Sequence, residues 1–426
     1  MDIVVQPFKG SLKGIINTPP DKSISHRAIM FASLANGKSI IRNFLNGADC
    51  LSTASIFKKL GVNIDFIDEN SLVVQSNGHL AIQDKILDCG NSGTSMRLIS
   101  GILAGQTFDS ILIGDESLSK RPMKRIITPL SMMGADIQSN NYKAPLHIKG
   151  KQLHGIEYTS PIASAQVKSS ILLAGMNAEG ETTVIEPYKS RNHTEIMLGY
   201  MGANIIEDGN KVSITKSELT PCEINVAGDI SSAAFFIVAA LIIPNSEIIL
   251  KNVGLNPTRT GILDIVNRMG GLVEMLDERI ISGETVGDIR IRYSELKGCT
   301  ISGEDIPRLI DELPIIALLA TQASGVTTVK DAGDLRNKEA DRISAIVTEF
   351  RKLGIEIDEL PDGFIITGKQ IIKGNTEVEV YKDHRLAMTF YIASLLAQKE
   401  VLIKEFDWVN VSMPSFLQTF AQLSNN

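Results

Sequence analysis

Cysteine is scarce in this chain, and what there is stands scattered. Cys50, Cys89, Cys222 and Cys299 form no C-x-x-C pair and have no histidine cluster beside them. That excludes the usual zinc spacings and suits a reducing compartment. No uninterrupted apolar run reaches the ~18 residues a membrane helix needs, and the opening MDIVVQPFKG lacks the apolar stretch of a signal peptide. Positive charge is not in excess either. A net charge of −7 and a pI near 5.5 argue against a nucleic-acid partner, which needs a net or strongly clustered positive field. The expectation is a soluble, cytoplasmic protein. What is present is ordinary globular composition, 43% apolar and 21% charged, on a length that allows two or three domains.

The chain repeats itself. A helix end, a glycine turn and an alternating strand recur in KKLGVNIDF, SMMGADIQS, GYMGANIIE, NRMGGLVEM and RKLGIEIDE. Their glycines, Gly61, Gly134, Gly202, Gly270 and Gly354, stand about 70 residues apart, each just past a helix C-terminus. A second piece recurs six times, a small or charged start running into an apolar helix. The six are SHRAIMFASLANG, SGTSMRLISGILAG, ASAQVKSSILLAG, ISSAAFFIVAALII, IDELPIIALLATQ and DHRLAMTFYIASLLA.

Helices such as AAFFIVAALII are apolar all round and have to be buried on every side. Strands such as VNIDFI and IEIDEL alternate and leave one sheet face to solvent. Helices inside and sheets outside satisfy both demands; an open solenoid of six units does not. Three units to a domain gives two domains, residues 1–20 with 228–426 and residues 21–227, with crossovers at Pro19-Pro20 and Val226–Asp229. The glycine-turn piece occurs once fewer than the apolar helix, because the chain ends on MPSFLQTFAQL. The opening strand DIVVQPF is expected to complete that sixth unit and tie the two ends together.

Polar residues gather at the beginnings of the buried helices: Lys22, Ser23 and Arg27; Asn91, Gly93, Thr94 and Arg97; Ser164 and Gln166; Asp311; Lys382, His384 and Arg385. A helix N-terminus offers unpaired N–H donors and a positive dipole end. An acidic protein with such tips facing one cleft would focus positive potential there and take an anionic substrate. In GNSGTSMR, residues 90–97, glycines flanking small hydroxyls let the backbone approach a phosphate or carboxylate, or merely start a helix.

DESLSKRPMKRI, residues 115–126, sets Lys120 with Lys124 and Arg121 with Arg125 at i,i+4. On one helix those like charges repel by a few tenths of a kcal/mol. The segment reads either as a solvated basic face or as a guanidinium clamp on an anion. NKEADRI, residues 337–343, spaces Lys338 and Arg342 in the same way around Glu339, as an exposed amphipathic helix or as a proton carrier between two cations. Asp311, ahead of Pro314, reads as an N-cap or as a working carboxylate.

Taken in order, PPDKSISHRA, GNSGTSMRL, RPM, SAQVKSSILLAG, SRNHTE, DELP, RNKEADRI and YKDHRLAM run from residue 19 to residue 388. Together they resemble the enolpyruvyl transferases, in the branch that acts on shikimate 3-phosphate and in its class II spelling. The resemblance implies an α+β fold of two domains, each of three βαβαββ units in an inside-out barrel. Buried parallel helices lie under outer sheets, and the active-site cleft between the domains closes on substrate. It implies transfer of the enolpyruvyl group of phosphoenolpyruvate to the 5-hydroxyl of shikimate 3-phosphate through a tetrahedral adduct, with release of phosphate, in aromatic amino acid biosynthesis.

By the same resemblance, shikimate 3-phosphate is held by Lys22, Ser23, Arg27, Ser164, Ala165, Gln166, Arg191, Asp311 and Lys338. Phosphoenolpyruvate is held by Lys22, Asn91, Gly93, Thr94, Arg121, Gln166, Arg342, His384 and Arg385. Asp311 is then the base for the hydroxyl, and Glu339 with Lys22 supplies and later removes the C3 proton. No metal and no organic cofactor is implied. The partners are the two small molecules, with neither nucleic acid nor membrane, and a monomer is expected.

Three positions depart from the family's pattern. Asp334 stands where Asn is frequent, Ala165 where one branch has a second serine, and Val411-Ser412-Met413-Pro414 where many members have a lysine before T-F-P. Two other readings compete. The sister enzyme acting on UDP-N-acetylglucosamine carries a cysteine five residues ahead of its R-P arginine, where this chain has Glu116. A non-catalytic repeat scaffold for an acidic partner would have no use for Asp311 and Glu339 among the cations.

Overall fold

The computed structural model describes residues 1–424. All six apolar repeats are helices: Lys22–Leu34, Gly93–Ala104, Ala165–Gly175, Ile230–Ile242, Leu313–Gln322 and His384–Leu395. Every residue of Ile230–Ile242 is buried, and so is all of Leu313–Gln322 except Gln322, because neither helix has a polar stripe to turn to water. Each fully buried Phe or Leu there contributes roughly 1.5–3 kcal/mol of transfer free energy. The five turn glycines all adopt left-handed backbone, with φ between 84° and 94°, a region that disfavours a side chain.

The chain divides into two compact units. A terminal unit takes Met1–Pro19, Gly228–Arg279 and the chain from Thr285 onward; a central unit takes Pro20–Ala227 and Ile280–Glu284. The central unit has three four-stranded sheets built to one plan. In the first, Asn36–Arg42 runs parallel to Glu223–Asn225 and antiparallel to Ser71–Asn77, which folds back on Asn63–Asp68. Asp109–Ile113 and Thr182–Ile185 hold the same place in the other two sheets. Burial alternates along Ser71–Asn77 and Lys143–Lys149, so each sheet keeps one face on the core.

The terminal unit repeats the plan twice, around Glu247–Gly254 and Val326–Val329. Its third sheet has three strands. Val401–Ile403 runs parallel to Thr376–Val378 and antiparallel to Ile3–Val5, with Ile3 opposite Ile403. The N-terminal strand thus supplies the antiparallel neighbour that the truncated sixth repeat lacks. Phe8 meets Phe420 edge-on at 6.1 Å between ring centres, which pins the final helix to the same corner.

Two local expectations are corrected. Residues 115–126 are not one helix: Glu116–Lys120 ends, Arg121 is extended, and a new helix starts at Lys124. Pro122 disfavours helical backbone at the residue before it, so the i,i+4 repulsion between like charges does not arise. Nor are residues 337–343 an exposed helix. Lys338 and Glu339 sit in a connection, Asp341 caps the next helix, and Arg342 is buried.

Candidate active site

In the central unit, three of the buried helices bring their first turns together. Arg27 is the clasp between Lys22–Leu34 and Ala165–Gly175. Its Nε donates to Thr194 Oγ1 (2.7 Å), its Nη2 to Ser169 Oγ (2.9 Å) and its Nη1 to the Ser23 carbonyl (3.0 Å). Burial pushes the Arg27 guanidinium down to about 10, against the pull of Glu195 and Asp21; at neutral pH it stays charged. Lys22 Nζ lies 3.3 Å from Asp49.

The Gly93–Ala104 and Ala165–Gly175 helices run so close that a Cβ on Gly101 would collide with the Ser170 carbonyl. Their first turns are stitched together. Gln166 Nε2 donates to Thr94 Oγ1 (3.0 Å), and Arg97 Nη1 donates to Gln166 Oε1 (2.6 Å). A side chain at Gly93 would press on the guanidinium nitrogens of Arg97 and Arg121, so glycine there keeps both cations next to bare backbone. Arg121 is aimed by Asn91, whose Oδ1 accepts from its Nη2 (2.9 Å); Asn91 in turn donates to Asp115 (2.7 Å).

A chain of buried hydrogen bonds runs behind these groups, from His26 through Thr53 and Ser95 to Ser92, with links of 2.7, 2.7 and 2.8 Å. Ser92 also accepts the Ser95 N–H and so caps the Gly93–Ala104 helix. Since Ser95 donates to Ser92, Thr53 donates to Ser95, and His26 must donate from Nδ1–H. Burial first, then Lys22 and Arg27, hold the His26 imidazole well below its usual range, so it is neutral.

In the terminal unit the other three helix starts are joined by ions. Asp229 caps Ile230–Ile242 and Asp383 caps His384–Leu395. Arg259 donates to Asp229 (3.1 Å) and Ser231 (2.5 Å), Ser231 donates to Glu312, and Arg385 lies 3.8 Å from Glu312. His384 and Arg385 are both buried in the first turn of their helix. Asp311 is not an N-cap, since Glu312 holds that position without a side-chain bond. Asp311 instead faces Lys338 and Arg342, each at 3.3 Å, and Arg259 at 4.0 Å. Arg342 also binds Glu339 (2.7 Å) and Asp383 (2.7 Å). Burial pulls Arg342 down, but Asp383, Glu339 and Asp311 outweigh it and hold the guanidinium above its usual pKa.

The helix tips are unequal as anion sites. Asp21, Asp229 and Asp383 cap three of the six helices with their own carboxylates, which occupies N–H donors and offsets the dipole. Ser164 makes no such side-chain bond at the start of Ala165–Gly175. There no capping carboxylate offsets the dipole, and Ala165 and Gln166 follow, with Arg191 on the loop before His193–Tyr200.

Within the central unit, Lys22, Ser23, Arg27, Asn91, Gly93, Thr94, Arg121, Ser164, Ala165 and Gln166 therefore fall on adjoining helix starts and the arginines between them. Within the terminal unit, Asp311, Lys338, Glu339, Arg342, His384 and Arg385 do so. Asp334 lies half-buried in the short Gly333–Asn337 turn. Sequence reasoning missed Asp49, Asp229, Arg259, Glu312 and Asp383. The capping aspartates were findable, as a carboxylate directly before each apolar run; Arg259 and Asp49 had no local signal.

Helices wrapped by outer four-stranded sheets in this order define the enolpyruvyl-transferase fold. The enolpyruvyl transferase NikO from Streptomyces tendae has it, with a TM-score of 0.81 over 99% of this chain and 97% of that one at 16% identity, a likeness in fold alone. Residues 8–420 match the family EPSP synthase (3-phosphoshikimate 1-carboxyvinyltransferase), and the chain belongs to it. It is 51% identical to the 3-phosphoshikimate 1-carboxyvinyltransferase of Thermoanaerobacter sp. (strain X514), over 99% of this chain and all of that one. It is 50% identical to that of Bacillus subtilis (strain 168), over 97% and 98%. The solved EPSP synthase of Acinetobacter baumannii superimposes with a TM-score of 0.89 at 42% identity, over 99% and 98%.

Proposed function

We propose that this chain is a transferase that moves the enolpyruvyl group of phosphoenolpyruvate onto the 5-hydroxyl of shikimate 3-phosphate and releases phosphate. The observation that carries the chemistry is in the terminal unit: two carboxylates, Asp311 and Glu339, sit on one buried guanidinium, that of Arg342. A hydroxyl that adds to an enol ether must lose its proton while the alkene carbon gains one. The reaction therefore needs a base and an acid held close by. Asp311 takes the hydroxyl proton as the oxygen bonds to C2 of phosphoenolpyruvate, and Glu339 with Lys22 delivers a proton to C3. The tetrahedral adduct then expels phosphate while the same pair removes a C3 proton, so the enol ether is restored on the acceptor.

Cations arranged beforehand carry the charges that develop. Arg121, Arg342 and Arg385, with Asn91, Gly93, Thr94, Gln166 and His384, are assigned to phosphoenolpyruvate. Lys22, Ser23, Arg27, Ser164, Ala165, Gln166, Arg191, Asp311 and Lys338 are assigned to shikimate 3-phosphate. The tip of Ala165–Gly175, lacking a side-chain cap, supports the phosphate assignment at Ser164–Gln166. A monomer working in the cytoplasm belongs to the same reading; light scattering tests the mass. The deciding experiment mixes the protein with both substrates and follows phosphate. Release that needs both supports the reading, and release no faster than background sinks it.

A further inference from the structure

We infer that Lys168 is a positioning residue for shikimate 3-phosphate: a buried ammonium that stands behind the ligand-directed groups and holds Ser164, Arg191 and Arg27 in place. The inference rests on the reading above. Lys168 lies one turn into the Ala165–Gly175 helix, where its backbone N–H closes the first turn on the Ser164 carbonyl (3.0 Å). Its side chain, 1% exposed, leaves that helix and meets two carboxylates, Glu186 Oε2 at 2.7 Å and Glu195 Oε1 at 2.6 Å. The ammonium also donates to the Ser190 carbonyl, at 3.3 Å. It thus has two carboxylates as ion partners and one backbone carbonyl as a hydrogen-bond acceptor.

Each acceptor leads to a ligand-directed group. Glu186 Oε2 also accepts the Ser190 N–H (3.2 Å), so both backbone polar groups of the residue before Arg191 are held by this cluster. Glu195 follows Thr194, whose hydroxyl accepts from Arg27 Nε at 2.7 Å. Ser169, the neighbour of Lys168, accepts from Arg27 Nη2 at 2.9 Å and shares a 2.7 Å hydrogen bond with Thr194. One cation therefore links the helix tip, the Arg191 loop and the Arg27 clasp.

Stability alone does not account for such a cluster. Buried ion groups replaced by apolar side chains of similar volume are often no less stable. An apolar trio would fill the space, but it would neither grip Ser190 from both sides nor place a carboxylate beside Arg27. Glu195, ion-paired with Lys168, also favours the charged form of the Arg27 guanidinium.

The test compares Lys168→Met with wild type in steady state. The KM for shikimate 3-phosphate is expected to rise about tenfold, the scale of one lost charge-assisted hydrogen bond. The KM for phosphoenolpyruvate and the kcat per folded molecule should move far less. A folded Lys168→Met with an unchanged KM for shikimate 3-phosphate overturns the inference, and so does an equal loss in both KM values and kcat, the mark of a merely structural role. Should Lys168→Met fail to fold, Glu186→Ala leaves a neutral Lys168–Glu195 pair and loosens only the Ser190 loop. It should raise the same KM about threefold, as one neutral hydrogen bond would, and no rise overturns the inference. If the wild type itself releases no phosphate from the two substrates, reading and inference fall together; release by the wild type with unaltered variants sinks the inference alone.

Discussion

Arg342 and Asp383 meet side by side, Nε to Oδ2 at 2.7 Å and Nη2 to Oδ1 at 3.4 Å, with 1% and 0% of their side chains exposed. Asp383 also caps His384–Leu395 through the N–H groups of Arg385 and Leu386. One carboxylate therefore sets both the direction of Arg342 and the start of the helix that carries Arg385. Asp383→Asn keeps a residue able to cap but removes one of the three carboxylates on Arg342, a loss below the roughly 3–5 kcal/mol of a fully uncompensated buried charge. Denaturant melts should show that loss, and the KM for phosphoenolpyruvate should rise more than that for shikimate 3-phosphate. A variant as stable as wild type with both KM values intact would show that the pair orients nothing.

Asp311 has cations on several sides and shares the Arg342 guanidinium with Glu339, so an amide of the same shape tests what its carboxylate does. Asp311→Asn should keep substrate binding largely intact while turnover falls by about 10²-fold or more, the usual scale for a lost general base. Calorimetric titration checks the first part and phosphate release the second. Turnover at the wild-type rate would strip Asp311 of the role.

Arg121 is aimed by Asn91 alongside the side-chain-free Gly93. Arg121→Ala should raise the KM for phosphoenolpyruvate about tenfold or more, as the loss of a charge-assisted contact does, with a smaller change for shikimate 3-phosphate. Asn91→Ala should repeat the pattern more weakly, because it frees the guanidinium without removing it. Equal effects on both substrates would contradict the assignment.

The fold was readable because it is repetitive. A helix apolar on all sides, as in Ile230–Ile242, has few places to go, and five left-handed glycines mark where each four-stranded sheet begins to fold back. The opening strand was placed by counting: one repeat lacked a strand, and Ile3–Val5 fills the gap. The candidate site was readable to the extent that its residues cluster at helix starts. What misled was charge spacing taken as helical. The rule for like charges at i,i+4 assumes a continuous helix, yet Pro122 and the Asp341 cap were both visible as breaks. What stayed hidden was long-range pairing. Arg259 with Asp229 and Ser231, Lys168 with Glu195, and His26 with Thr53 join segments far apart in the chain, and no local pattern reports which carboxylate a buried cation will meet.

His26 offers a test of that hidden layer through pH. Burial holds its imidazole neutral in the folded protein, whereas an unfolded histidine titrates near 6.5. Below that pH the unfolded chain binds a proton that the folded chain refuses, so stability is full above about 6.5 and falls as the solution is acidified. The slope for one such group is roughly 1.4 kcal/mol per pH unit until the folded imidazole itself protonates. His26→Asn removes the titration while its amide can still donate to Thr53. Melts of the two proteins between pH 7.5 and 5.5 should therefore diverge, the wild type losing stability faster, with the carboxylates common to both cancelling in the difference. Parallel curves would mean that His26 takes up its proton in the folded state, at Nε2, and that burial does not keep the ring neutral.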